Sequence, residues 1–240
     1  MQRTLIMMSL GLGLAACAAD DGDEGIFISK NVLPADGCTF SSSAAELFNP
    51  HGTVSVFSPE GYTMYPQLVS RISATENNVQ QRTIQMRGSR VDIEILDPSL
   101  SGISGDGITR FESRFAAPLA PNGGITDAAF QAIPTAFLQA VAQAKGLNPM
   151  STERFSTEVI VHAKVYGDLS GSEVVSQEYE YPVTICNNCV TNVLGACPLP
   201  LGTTVLAPTN PCSAYQDGFS DCCVSGGNVV CPGVVATMAQ

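Results

Sequence analysis

The chain has no tryptophan and only two histidines. Thioredoxin-like redox motifs usually carry a tryptophan just before the first cysteine, and acid–base and zinc chemistry both draw on imidazole, so each has little to build on. Basic residues are also scarce, with 11 Lys and Arg against 22 Asp and Glu and a formal charge of −11. Nucleic-acid affinity rests on Lys and Arg neutralising phosphates, so no nucleic acid is expected as a partner. The apolar run from Leu5 to Leu14 is about half the ~20 residues that a spanning helix needs. Catalytic signatures are missing too: there is no Gly-x-Ser-x-Gly, no His-Glu-x-x-His and no phosphate-binding loop. Gly102-Ile103-Ser104-Gly105-Asp106-Gly107 lacks the lysine and the following helix of such a loop, and reads as a strand connection. His51 reads as a loop residue, His162 as a sheet residue, and Asp92 with Glu94 as an exposed strand face. No catalytic residue, cofactor or metal is indicated.

The residues that are present suffice for a packed core, with 45% apolar and 14% charged. The first residues have the layout of a secretory signal: Arg3, an apolar run, and small residues before a cysteine. Leu14-Ala15-Ala16-Cys17 resembles the lipobox of bacterial lipoproteins. That resemblance implies that residues 1–16 are removed and that Cys17 takes a diacylglycerol on its sulfur and an acyl group on its new amino terminus. Ala18 and Ala19 follow where inner-membrane lipoproteins tend to carry Asp, so the resemblance favours a lipid anchor in the outer membrane. Several acyl chains, at about 0.8 kcal/mol per buried CH2, hold a protein firmly. Residues 17–25, with Asp20, Asp21, Asp23 and Glu24, read as a solvated acidic tether. Loss of 1–16 removes one basic residue, Arg3, and deepens the negative charge by one.

Eight cysteines remain besides Cys17: Cys38, Cys186, Cys189, Cys197, Cys212, Cys222, Cys223 and Cys231. An even number in an exported chain reads as four disulfides, whose connectivity spacing does not fix. None lies between Cys38 and Cys186, which divides the chain into a cysteine-free body, 26–185, and a stapled tail, 186–240. Cys186-Asn187-Asn188-Cys189 is the one motif with catalytic potential, as a thiol–disulfide redox centre. Such a centre needs its first thiol at a helix N-terminus, and Val190 to Gly195 does not read as a helix, so a staple is expected. Zinc commonly takes two C-x-x-C pairs; only one occurs, and adjacent Cys222 and Cys223 chelate poorly. Proline and glycine make Pro198 to Pro211 a loop, which disulfides can order where burial alone cannot.

Alternation dominates the body. Ile84 and Met86 are apolar at even positions, Val91, Ile93 and Ile95 at odd ones, and the change of phase at Gly88-Ser89 predicts a β-bulge. Strands are also expected over Thr53–Phe57, Gly61–Ile72, Arg110–Phe115, Glu158–Tyr166 and Val174–Ile185, with a turn at Asp168–Gly171. Six or more short strands parted by Gly, Pro and Asn predict a mainly β fold, an immunoglobulin-like antiparallel β-sandwich. Asp127–Lys145 breaks the period with Ile133, Phe137 and Val141 at helical spacing, and predicts one short helical insertion covering an edge. Pro134 suits the first turn of its second half, and Gly146 its end.

Tyr65–Arg71, Thr83–Leu96, the strand ending Tyr181-Pro182-Val183-Thr184-Ile185-Cys186, and a tail with C-x-x-C, Gln216-Asp217-Gly218 and Cys222-Cys223 resemble a family of bacterial surface lipoproteins. The family implies an immunoglobulin-like sandwich joined to a cysteine-rich tail and carries no activity to transfer. More distantly, the sandwich resembles the water-stress and late-embryogenesis domain. First and last strands often lie side by side in immunoglobulin-like sandwiches, so Cys38 is expected to bond Cys186 or Cys189. The expected function is a membrane-anchored, non-enzymatic binding or structural module of the envelope, with a protein or glycan partner. The alternative is a thiol–disulfide redox protein using Cys186 and Cys189.

Overall fold

The structure, a computed structural model, describes residues 25–40, 47–151 and 153–231; Cys17 and most of the tether lie outside the described residues. The strands are β1 (Ile26–Asn31), β2 (Gly52–Ser55), β3 (Tyr62–Met64), β4 (Pro66–Ser70), β5 (Ile84–Ile95), β6 (Arg110–Leu119), β7 (Ile125–Asp127) and β8 (Phe130–Ile133). Helix α1 (Thr135–Ala144) follows, then β9 (Ser156–Leu169), β10 (Ser172–Val175), β11 (Tyr179–Cys186), β12 (Thr191–Ala196), β13 (Ser220–Ser225) and β14 (Asn228–Val230).

A large sheet in the order β2-β11-β9-β5-β6, with β10 beside β9, forms one layer. The sheets β1-β4-β7 and β3-β8 supply the other. Between them lie Ile84, Met86, Val91 and Ile93 of β5 and Val159, Val161, Ala163 and Val165 of β9. Tyr181, Val183 and Ile185 of β11 meet Ile26, Leu68, Tyr62 and Met64 from the facing strands in the same core. Apolar alternation built these strands, since each face-in side chain leaves water while its neighbours stay solvated. Pairing is antiparallel except for β2 with β11 and β12 with β13, which are parallel.

The change of phase in β5 is a bulge: its register slips between Met86 and Gly88 against both neighbours, β6 and β9. Gly88 fits because a Cβ there would stand 2.6 Å from the Ser113 carbonyl oxygen and 3.1 Å from the Tyr166 hydroxyl. Ser170 and Gly171 both have positive φ between Leu169 and Ser172, the two-residue hairpin turn that matches strand twist.

The expected helix over 127–145 is half helix and half strand. Pro134 fixes its own φ and pushes Ile133 to extended backbone, so Phe130–Ile133 pairs with β3 and only Thr135–Ala144 coils. Its end follows expectation: Gly146, at φ +64, donates to the Gln143 carbonyl while Leu147 donates to that of Ala142. Phe137, Leu138 and Val141 enter the core, so α1 closes one end of the sandwich.

All eight described cysteines are bonded: Cys38–Cys212, Cys186–Cys189, Cys197–Cys223 and Cys222–Cys231. The expected bond from Cys38 to Cys186 or Cys189 is not made. β1 lies beside β4 in the smaller sheet and β11 has β2 at its edge, so the first and last body strands sit in different layers. Cys38 instead reaches the proline-rich loop of the tail, across a sequence separation of 174.

Closure of so long a loop is worth about 5 kcal/mol in the chain-entropy account. Cys38→Ala with Cys212→Ala should lower the melting temperature by several degrees, and mass-spectrometric mapping of the native protein should recover the Cys38–Cys212 peptide pair. A second variant tests local fit. Gly52 lies where a Cβ would come within 2.5 Å of the Tyr62 hydroxyl, so Gly52→Ala should destabilise by roughly 1–3 kcal/mol in denaturant titration.

Candidate functional site

Tyr215, Gln216 and Asp217 fasten the tail to the sandwich. Ser55 donates its amide to the Tyr215 carbonyl at 2.8 Å, and Asp217 donates its own to the Thr53 carbonyl at 2.8 Å. Gln216 does with its side chain what a strand does with its backbone: Oε1 accepts from the Thr63 amide at 2.9 Å, and Nε2 donates to the Thr63 carbonyl at 2.8 Å. The Asp217 carboxylate accepts from the Thr53 amide at 2.8 Å and from the Tyr62 hydroxyl at 2.9 Å. Tyr62 and Tyr181 share a hydroxyl–hydroxyl bond of 3.1 Å, and Asn31 donates to the Tyr181 oxygen at 2.9 Å. Asn31 then accepts from the Tyr65 amide at 2.7 Å. Gly218 leaves room for the turn, since a Cβ there would meet Thr209 Oγ1 at 2.6 Å.

Burial pushes the Asp217 carboxyl up to about 6, against the opposing pull of its donors, Thr53 and Tyr62 foremost. Burial, then the neighbouring Asp217 charge, also holds the Tyr62 hydroxyl well above its ordinary range. Both Asp217 oxygens are engaged by donors, so the group acts as a tie between tail and body.

The tail thus held forms one wall of a cleft of about 380 Å³ between α1, the turn at Val56–Pro59 and the β13–β14 hairpin. Phe57, Pro59, Pro149 and Val229 give its apolar surface; Thr135, Gln139, Gln143 and Asn228 give its polar one. Among the described residues, no Asp, Glu, Lys, Arg or His lines it. Phe57 packs against both the sandwich core and the smaller tail core of Ala214, Tyr215, Cys222, Val229 and Cys231. The Thr135 hydroxyl donates to the Pro59 carbonyl at 3.0 Å, and the Tyr215 hydroxyl to that of Val229 at 3.1 Å, so each wall is pinned. Gln139 and Gln143 are exposed and one helical turn apart.

The outer face of the large sheet has the opposite character. Arg90 bonds Glu112 at 3.2 Å and Glu173 at 3.1 Å, Arg110 bonds Asp92 at 2.9 Å, and Lys164 bonds Glu178 at 3.3 Å. His162 lies between Glu178 on Nδ1 at 2.9 Å and Glu94 on Nε2 at 3.0 Å. Desolvation pulls its pKa down, but the two carboxylates outweigh it and hold the ring above its ordinary value. Glu180 stands close enough to complete a three-ligand set with His162 and Glu178. Both ring nitrogens already face carboxylates in a geometry that suits a proton-bearing imidazolium.

Cys186 ends β11 and is buried, whereas Cys189 is exposed. Strand β12 follows, so no helix dipole acts on either sulfur. The loop is clamped instead: Asn187 Nδ2 donates to the carbonyls of Ser151 at 3.2 Å and Glu153 at 2.7 Å, and Asn188 Nδ2 to that of Ser151 at 2.9 Å. His51 lies near the β2 end, 3.1 Å from the Thr184 hydroxyl.

The eight cysteines and Gln216-Asp217-Gly218 stand out in the sequence; Tyr62, Tyr181 and Asn31 as one network, and the neutral cleft, do not. The available signal was Gln-Asp-Gly between the tail cysteines, where Asp-Gly marks a turn and Gln precedes it. No family model, curated protein or solved structure matches the chain.

The two shifted groups make stability depend on pH in one direction. Asp217 titrates near 6 when folded and near 3.9 unfolded, so between those values the folded state holds more protons and stability rises as pH falls. His162, raised above ~6.5, contributes fully below that value and is lost as pH rises through its folded value. Denaturant midpoints should therefore fall from pH 5 to pH 8. Asp217→Asn should flatten the part of the curve between about 4 and 6 and leave the part above ~6.5, which His162→Gln should remove.

Proposed function

We propose that this protein is a lipoprotein of the bacterial outer membrane, anchored through acylated Cys17, whose sandwich and tail form a non-enzymatic binding or structural module of the envelope. The observation that carries the reading is the cysteine arrangement. Eight of nine cysteines are joined in pairs, and the ninth, Cys17, sits in the Leu-Ala-Ala-Cys motif. Four disulfides suit an oxidising compartment, and a leftover cysteine at that motif suits lipidation better than pairing. The acidic stretch after it favours a solvated spacer between lipid and fold. An immunoglobulin-like arrangement of the two layers agrees with a protein or glycan as partner. The buried Cys186 sulfur and its clamped loop count against thiol exchange beginning there, because the attacking sulfur of a redox pair has to be reached.

Cys17→Ser tests the anchor. The variant should lose incorporation of labelled fatty acid and remain as the longer precursor. A variant still shortened and still membrane-held would overturn the proposal. Thiol titration of the native protein in denaturant without reductant should find no free thiol; two thiols at Cys186 and Cys189 would favour the redox alternative.

A further inference from the structure

The surface divides sharply by charge. The outer sheet face is laced with ion pairs, yet helix α1, Thr-Ala-Phe-Leu-Gln-Ala-Val-Ala-Gln-Ala, carries no charged residue on either face. Its inner side is spent on the core through Phe137, Leu138 and Val141. Its outer side presents Gln139 and Gln143 to the cleft, opposite Asn228 at the hairpin tip. None of these three side-chain amides bonds another described residue. Thr135 adds a hydroxyl whose proton is committed to Pro59 but whose oxygen still accepts.

We infer that this cleft is a binding site for a neutral saccharide; the inference rests on the binding-module reading. At about 380 Å³ the cleft lies within the roughly 300–1,000 Å³ of small-ligand sites and has room for a short saccharide. Among the described residues the lining holds no Lys, Arg or His to pair with phosphate, sulfate or carboxylate, and no Asp or Glu to pair with a cation. The groups present are those a sugar ring can use. Each primary amide offers two donors and an acceptor, which match hydroxyls that both donate and accept. Phe57 and Pro149 offer ring surface to the C–H face of a pyranose, whose burial is favourable while its hydroxyls stay bonded. The walls are fixed by the Cys222–Cys231 bond and by the Thr135 and Tyr215 hydrogen bonds, so little ordering is needed on binding.

The test is an NMR titration of the processed, lipidated protein in detergent micelles. The probes are glucose, galactose, mannose and N-acetylglucosamine and their trisaccharides, with galacturonic acid as the anionic counterpart. At least one neutral sugar should shift the side-chain amides of Gln139, Gln143 and Asn228 in a saturable way, with galacturonic acid clearly weaker. Gln139→Ala and Gln143→Ala should each weaken binding roughly three- to tenfold, one hydrogen bond's worth, without lowering the melting temperature, because both positions are exposed on a helix. No shift with any neutral sugar at its solubility limit would overturn the inference, as would shifts that both alanine variants leave intact. A neutral extended peptide that moves these amides where sugars do not would also overturn it. If sugars fail while the solubilised protein still retains a specific envelope partner, this site assignment falls and the binding-module reading stands; if both fail, both fall.

Discussion

The architecture depends on one enclosed carboxylate. A charge taken out of water is costly unless donors replace the solvent, and Asp217 is supplied by the Thr53 amide, the Tyr62 hydroxyl and the side chains around them. Those donors come from β2 and β3, and the tyrosine pair carries the network on to β11 and, through Asn31, to β1. Four strands of two layers thus meet at one residue of the tail. Gly52 makes the meeting possible by leaving the space that the Tyr62 hydroxyl and the Tyr181 ring occupy.

Covalent bonds then reinforce what the carboxylate positions. Cys38–Cys212 ties the tail to the segment after β1, while Cys197–Cys223 and Cys222–Cys231 fold the tail onto itself. By loop length the contributions differ: the long Cys38 loop is worth most in chain entropy and the four-residue Cys186–Cys189 loop least. Cys186–Cys189 chiefly shapes a surface turn, already clamped by Asn187 and Asn188. Phe57, shared by both cores, shows that the tail is packed against the sandwich as well as bonded to it.

The same arrangement sets the chemistry each surface can offer. On the sheet face, cations and carboxylates are largely spent on one another, and exposed pairs of this kind add little stability while keeping the strands solvated. At the helix end, uncharged amides and rings border a concavity that exists because the hairpin is held against α1.

Much of the fold was legible along the chain. Alternation located β5, β9 and β11, the phase change at Gly88 marked the bulge, and Gly146 marked the end of the helix, because these depend on period and backbone freedom within a few residues. Where local signals competed, tertiary pairing decided: Phe130–Ile133 carries a helical-looking stripe but is a strand, because Pro134 blocks the coil behind it and β3 offers an open edge. The site was legible only as residue types. Cysteine parity announced four bonds, but the partner of Cys38 followed from which layer β1 joins, and Gln216-Asp217-Gly218 acquired its meaning from strands more than 150 residues earlier. Composition, period and motif fix what a segment can form by itself; bonding between distant polar groups is fixed by where the chain returns, and only the assembled sheets determine that.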